Sequence, residues 1–182
     1  MEIVVCSLQL APQVAKDKRV SHAISLLDPF NPFPTLHPLS DDAHLKIGMH
    51  DIAEMMDGYE APGAHHVETA LSFAKNWNRT APILVHCWAG VSRSTATAFS
   101  IACAANPDAD ELEIAQTLRA ASPTASPNPR IVAFADEILK RKGRMVAAAE
   151  SIGRGNLLIG VQPFSIPAHY EARIKKPGHG AT

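Results

Sequence analysis

The chain has 182 residues, enough for one well-buried core of ordinary domain size. Its formal net charge of −1 lacks the strong basic excess by which nucleic acid or an acidic membrane is attracted. Three cysteines, Cys6, Cys87 and Cys103, cannot all pair within one chain, which argues against a secreted disulfide framework and for free thiols in a reducing compartment. The opening stretch MEIVVCSLQLAP has no basic start and reads as a first strand rather than a signal peptide. No apolar run approaches the ~18 to 20 residues of a membrane helix. The expectation is a soluble, cytoplasmic protein with neither a nucleic-acid nor a membrane partner.

In chain order, β-like runs fall at Ile3 to Leu8, Ser21 to Leu27, Leu45 to Met49 and Pro82 to His86; the last is continuously apolar, as a buried parallel strand would be. Between the second and third lies the proline-rich stretch Asp28 to Asp42, expected to be a surface loop bordering a site. Val67, Ala70, Leu71, Ala74 and Trp77 repeat at helical spacing just before the fourth strand. After it, RSTATAFSIACAA is small and apolar on nearly every side and suits a central buried helix. NPDADELEIAQTLRAA opens with capping and acidic residues and presents Leu112, Ala115 and Leu118 on one face. A further helix follows SPNP, with Ile131, Phe134, Ala135, Ile138 and Leu139 as its stripe.

Strands alternating with helices predict an α/β fold, a central and mostly parallel sheet flanked by helices, with a helical carboxyl-terminal half. Residues 1–142 read as the core domain. An extension over 143–182 is left open in role and packing: MVAAAESIG admits one more helix, VQPFSIPAHY reads as an extended strap, and the basic, glycine-bearing end is expected to fray. There are no internal repeats.

The stretch HCWAGVSRS, residues 86–94, carries the chemistry. A cysteine acts as a nucleophile through its thiolate, and needs nearby positive potential to ionise. A strand ending in His86-Cys87, a glycine-containing turn and a helix starting near Arg93 supply that potential. Loop N–H groups converge on an anion, the helix dipole adds its positive end, and Arg93 adds a full charge. Such a loop also attracts a phosphate, which a guanidinium can grip through two oxygens at once. Gly90 lets the backbone turn and approach closely. Ser94 is placed to donate to the Cys87 sulfur, and His86 is expected to hydrogen-bond within the loop.

HC, five residues, then RS resembles the signature of the cysteine-based protein tyrosine phosphatases, and AGVSRS resembles most the dual-specificity branch. The resemblance extends through PILVHCWAGVSRSTATA and LRAASPTASPNPRIVAFADEIL, and spans roughly Met1 to Lys142. It implies that Cys87 is the nucleophile and Arg93 the phosphate clamp. Trp88, Ala89, Gly90, Val91 and Ser92 would form the phosphate cradle, with Ser94 assisting the leaving thiolate. His86 and Asn128 would support the loop. The family's general acid is an aspartate roughly thirty to forty residues before the cysteine. Asp51, directly after the third strand, fits best, and Asp57, beside a glycine, is its rival. Neither a metal nor an organic cofactor is implied, and the partner is a phosphorylated protein or a small phosphomonoester.

Two departures bear on substrate. Ser122-Pro123 stands where the family often has Arg-Pro, and Trp88 to Ser92 contain no lysine or arginine, unlike relatives acting on inositol phospholipids. Competing readings are a phosphatase-like module that binds phosphate without turnover, a cysteine-loop phosphatase acting on a non-protein ester, and a sulfurtransferase or arsenate reductase. The last two want a differently spaced loop or extra relay cysteines. Cys6 and Cys103 read as core thiols, with a disulfide to Cys87 dependent on geometry. His44, His50, His65 and His66 lack the helical pairing of metal sites and read as solvated or capping residues. Trp88 is open between a cleft wall and an aromatic that packs the loop on the core.

Overall fold

The four apolar runs become parallel strands, β1 (Glu2–Ser7), β2 (His22–Leu27), β3 (His44–Gly48) and β4 (Ile83–Cys87), in a computed structural model that describes residues 1–173. A short strand from the extension, β5 (Phe164–Pro167), adds antiparallel to β1, giving the sheet order β3-β2-β4-β1-β5. All five residues of β4 are buried, which is why that run is continuously apolar rather than alternating.

Period-two alternation divides the sheet's two faces. Ile3, Val5, Ile24, Leu26, Ile83, Val85 and Cys87 face the larger core. That core is covered by α2 (Ala64–Asn76), α3 (Arg93–Ala105), α4 (Glu111–Ala121), α5 (Pro129–Ile138) and α6 (Arg144–Ser151). Val4, Cys6, Ala23 and Leu84 face the other side, under α1 (Ala11–Asp17) and Leu36 of the proline-rich stretch. The seven-residue α1 was not apparent from the sequence pattern: APQVAKD spans two turns with proline at its start and buries only Ala11 and Ala15.

Two helical faces differ from those read off the sequence. In α4 the buried residues are Glu111, Ile114, Ala115 and Leu118, and Leu112 is exposed. The face is rotated by one position because Glu111 is drawn inward to Arg141 and Arg144, at 3.2 and 3.0 Å. In α5 the buried set is Ile131, Val132, Ala135 and Asp136; Phe134 is only partly buried and lies beneath the Arg130 guanidinium. Asp136 accepts the N–H groups of Gly143 and Met145, at 2.6 and 2.8 Å, and so caps the start of α6. The extension thus supplies a helix, packed on α4 and α5, and a sheet strand. The expected fraying of the basic end concerns residues 174–182, outside the described residues.

With β1 to β4 parallel, their carboxyl ends share one edge of the sheet, where the segments 8–10, 28–40, 49–63 and 88–92 emerge together. This is the edge at which ligands bind in open α/β sheets.

Candidate active site

Cys87 ends β4 and Arg93 begins α3, so the turn 88–92 wraps the space above the helix start, as the sequence predicts. Gly90 makes that turn possible for two reasons. Its φ is +76°, and a Cβ there would fall 2.7 Å from the carbonyl carbon of Cys6 on β1, so no other residue fits without displacing a backbone. Its N–H donates to Cys87 Sγ at 3.3 Å, and Ser94 Oγ lies 3.1 Å from the same sulfur. The thiol, 1% exposed, has both groups aimed at it from within the loop and helix.

Arg93 is held at one end and free at the other. Nη1 donates to Asp28 Oδ1 at 2.8 Å and to the Met49 carbonyl at 2.5 Å, which orients the guanidinium. Nε is buried and has no hydrogen-bond acceptor among the described residues, with Asp51 Oδ2 at 3.8 Å. A buried donor with no partner is costly, and an anion seated in the loop would satisfy it.

Asp51, in the loop after β3, reaches the turn 88–92. Its Oδ1 accepts from Ser92 Oγ at 2.7 Å and from Asn128 Nδ2 at 2.9 Å. Asn128 works with both ends: its Oδ1 accepts from the Arg130 and Ile131 N–H groups and caps α5. It thus caps its own helix and holds Asp51 beside the turn 88–92. Asp57 lies further along the same loop on an exposed turn, and among the described residues it makes no hydrogen bond or ion pair to the site.

His86 requires a correction. It does not bond within the loop but points across the sheet, where its Nε2 meets Ser25 Oγ at 2.5 Å. His44 Nε2 meets the same hydroxyl at 2.6 Å. One hydroxyl proton serves two rings, so Ser25 donates to one and accepts from the other. Burial lowers the pKa of each histidine to about 4, with lesser effects from the main chain at Cys87 and from His44 on His86, and from Lys46 and Asp41 on His44. Both rings are therefore neutral at neutral pH. Trp88 is 60% exposed, so it does not pack the loop on the core.

The remaining thiols and histidines stay apart from this chemistry. Cys6 belongs to the opposite face of the sheet from Cys87, and burial pushes its pKa up to about 12. Cys103 is buried in α3 and likewise raised by burial. Glu60, His65 and His66 cluster closely enough to suggest a metal site, but the protonation pattern opposes one. His66 Nδ1 accepts the Gly63 N–H at 3.1 Å, so the neutral ring carries its proton on Nε2, which lies 3.2 Å from Glu60 and donates to it. His66 therefore has no lone pair left for a cation. His50 Nδ1 is similarly occupied by the Glu60 N–H, at 2.9 Å.

Three partners of the site were missed in the sequence: Asp28, Ser25 and the Met49 carbonyl. Each reaches its partner only through the parallel pairing of β2 with β3 and β4.

At the level of sequence, no family model and no curated protein matches the chain. Among solved structures it is similar to DUSP15, with 20% identity over 81% of this chain and 88% of that one, at a TM-score of 0.60. It is similar to human DUSP28 at 18% identity, over 76% and 91% of the two chains, with a TM-score of 0.58. PTPMT1 in complex with PI(5)P matches at 14% identity over 75% and 89%, with a TM-score of 0.55. The chain has the fold of the dual-specificity phosphatases, as the resemblance of its loop implied. No helix among the described residues is long and apolar enough to cross a membrane.

Proposed function

We propose that the protein is a phosphomonoester hydrolase acting through a phosphocysteine on phosphotyrosine in proteins, with phosphoserine and phosphothreonine also within reach. The observation that carries this reading is the half-anchored Arg93: fixed through Nη1, it leaves a buried, unpartnered Nε beside the Cys87 loop.

In the first step the Cys87 thiolate attacks phosphorus in line. The S–P bond forms as the P–O bond to the alcohol breaks, and Asp51 gives its proton to the departing oxygen. Arg93 and the N–H groups of Trp88 to Ser92 hold the equatorial oxygens while charge redistributes. In the second step water attacks phosphorus, the Asp51 carboxylate takes its proton, and the P–S bond breaks. The leaving thiolate is received by the Ser94 hydroxyl and the Gly90 N–H. The cycle uses no metal and no organic cofactor, and its reactive thiol suits a reducing, cytoplasmic setting.

The test is hydrolysis of an activated aryl phosphate by purified, reduced protein in the presence of a chelator, comparing wild type with Cys87→Ser. Turnover that survives the chelator and disappears in the variant, while inorganic phosphate still binds, is the expected result. Equal activity in both proteins would remove Cys87 from the reaction. Inorganic phosphate binding with no turnover in either would identify a phosphate-binding module instead.

A further inference from the structure

Beside the phosphate loop lies a groove of about 550 Å³. Val91 and Ser92 of the loop form one side, Val132 of α5 another, and Val146, Ala149 and Leu157 from the extension complete it. The extension is built into this wall rather than resting on it. A Cβ on Gly155 would sit 2.2 Å from the Thr124 carbonyl carbon, so glycine is what permits the close approach. The Gly155 N–H donates to Ser126 Oγ at 2.8 Å and the Asn156 N–H to the Pro123 carbonyl at 2.9 Å. Arg119 clamps both sides, donating to the carbonyls of Ser122, Pro123 and Ala125 and to those of Ile152 and Gly153. The segment so held is bonded in turn to the phosphate loop, Ser126 N–H to the Val91 carbonyl at 2.9 Å and Asn128 N–H to the Ser92 carbonyl at 3.3 Å. The groove is thereby fixed relative to the phosphate cradle.

The surface around it is apolar beyond ordinary need. Leu157, Leu158 and Ile159 are 60%, 96% and 56% exposed, and Phe30, Met55, Met56, Tyr59 and Trp88 are exposed on loops from the same edge of the sheet. The two charged residues that line the groove, Glu150 and Arg154, are of opposite sign, and Val91 and Ser92 of the loop carry no charge. A groove of apolar lining and balanced charge suits an apolar side chain better than a charged head group.

From this continuity with the phosphate loop and the apolar, charge-balanced lining we infer that the groove is a substrate subsite, seating a large apolar side chain that neighbours the phosphorylated residue of a protein substrate. The inference rests on the hydrolase reading above and names its substrate more closely. It also gives the extension a role: residues 143–157 select among phosphoproteins.

The experiment uses the full chain and a set of phosphotyrosine peptides in which one leucine is moved through the positions flanking the phosphotyrosine of a serine-alanine segment. Leucine at one position is expected to raise kcat/KM about ten-fold over the leucine-free peptide, mainly through KM, as burial of an aliphatic side chain predicts. That advantage should shrink to within about two-fold in Ala149→Trp, which fills the groove. It should shrink similarly in Leu157→Ser, an exposed position where folding is not at stake. A flat response across the series overturns the subsite, as does an advantage that survives both substitutions. So does faster hydrolysis of phosphatidylinositol phosphate in phosphatidylcholine vesicles than of any peptide. If a small aryl phosphate is turned over in a Cys87-dependent way while the series is flat, only the subsite falls. If no ester is hydrolysed at all, the hydrolase reading falls and the subsite with it.

Discussion

Asp51 and Asp57 share one loop, yet among the described residues Asp51 alone of the two is tied to the turn 88–92, through Ser92 and Asn128. Asp51→Ala is expected to slow hydrolysis of esters with poor leaving groups by about a hundred-fold and of an activated aryl phosphate far less, since protonation matters most when the leaving oxygen is basic. Asp57→Ala should leave that dependence on leaving group unaltered; the reverse pattern would reassign the acid. Asp28 holds the Arg93 guanidinium at 2.8 Å, and in the proposed reaction it would position that clamp. Its loss in Asp28→Ala should raise KM by about ten-fold, the scale of a charge-assisted hydrogen bond. Asp28→Asn keeps an acceptor at the same place and should restore most of the affinity, which a general loss of folding would not allow. Asp51 was legible in the sequence because it directly follows a strand; Asp28 was not, because it sits in a proline-rich stretch whose only visible property is irregularity.

At the scale of elements, the strand, turn and helix that hold Cys87 and Arg93 are contiguous in sequence, and their geometry could be read from residue order alone. What escaped was set by packing between distant segments. The inward turn of α4 depends on Glu111, a residue that a hydropathy pattern assigns to solvent, meeting Arg141 and Arg144 from the far side of α5. Burial raises the Glu111 pKa, but the Arg144 hydrogen bonds and the two guanidinium charges outweigh it and hold the carboxyl below its usual range. Glu111→Ala would leave Arg141, itself 6% exposed, as a buried cation without its anion. A loss of about 3 to 5 kcal/mol in unfolding free energy is expected, measurable by urea denaturation. Hydrolysis at temperatures below the new unfolding midpoint should persist, because the pair is remote from the loop.

For the whole molecule, the paired rings of His44 and His86 make stability depend on pH. In the unfolded chain a histidine takes its proton near ~6.5, whereas both rings resist protonation in the fold until about 4. Between those values the unfolded state binds more protons, so stability falls as the pH drops, by about 1.4 kcal/mol per pH unit for each ring. Below about 4 this contribution levels off. Urea midpoints measured from about pH 7 to about pH 4.5 should show this fall, and His44→Asn should remove the share due to that ring, about 1.4 kcal/mol per pH unit. An unchanged slope in that variant would mean that His44 takes no part. Neither ring's environment was visible in advance, because Ser25, which joins them, is an unremarkable serine until β2 lies between β3 and β4.

The position of β5 matters during synthesis. Everything that shapes the turn 88–92, from β1 to the Asn128 cap, precedes it in the chain, while the strand that covers the outer edge of β1 is made only at residues 164–167. Each nascent chain therefore passes through an interval in which Cys87 already has a strand, a turn and a helix, but the sheet still shows a row of unpaired backbone groups. A translation pause or premature stop between α5 and β5 would prolong that interval, with strand addition by another chain as its characteristic failure.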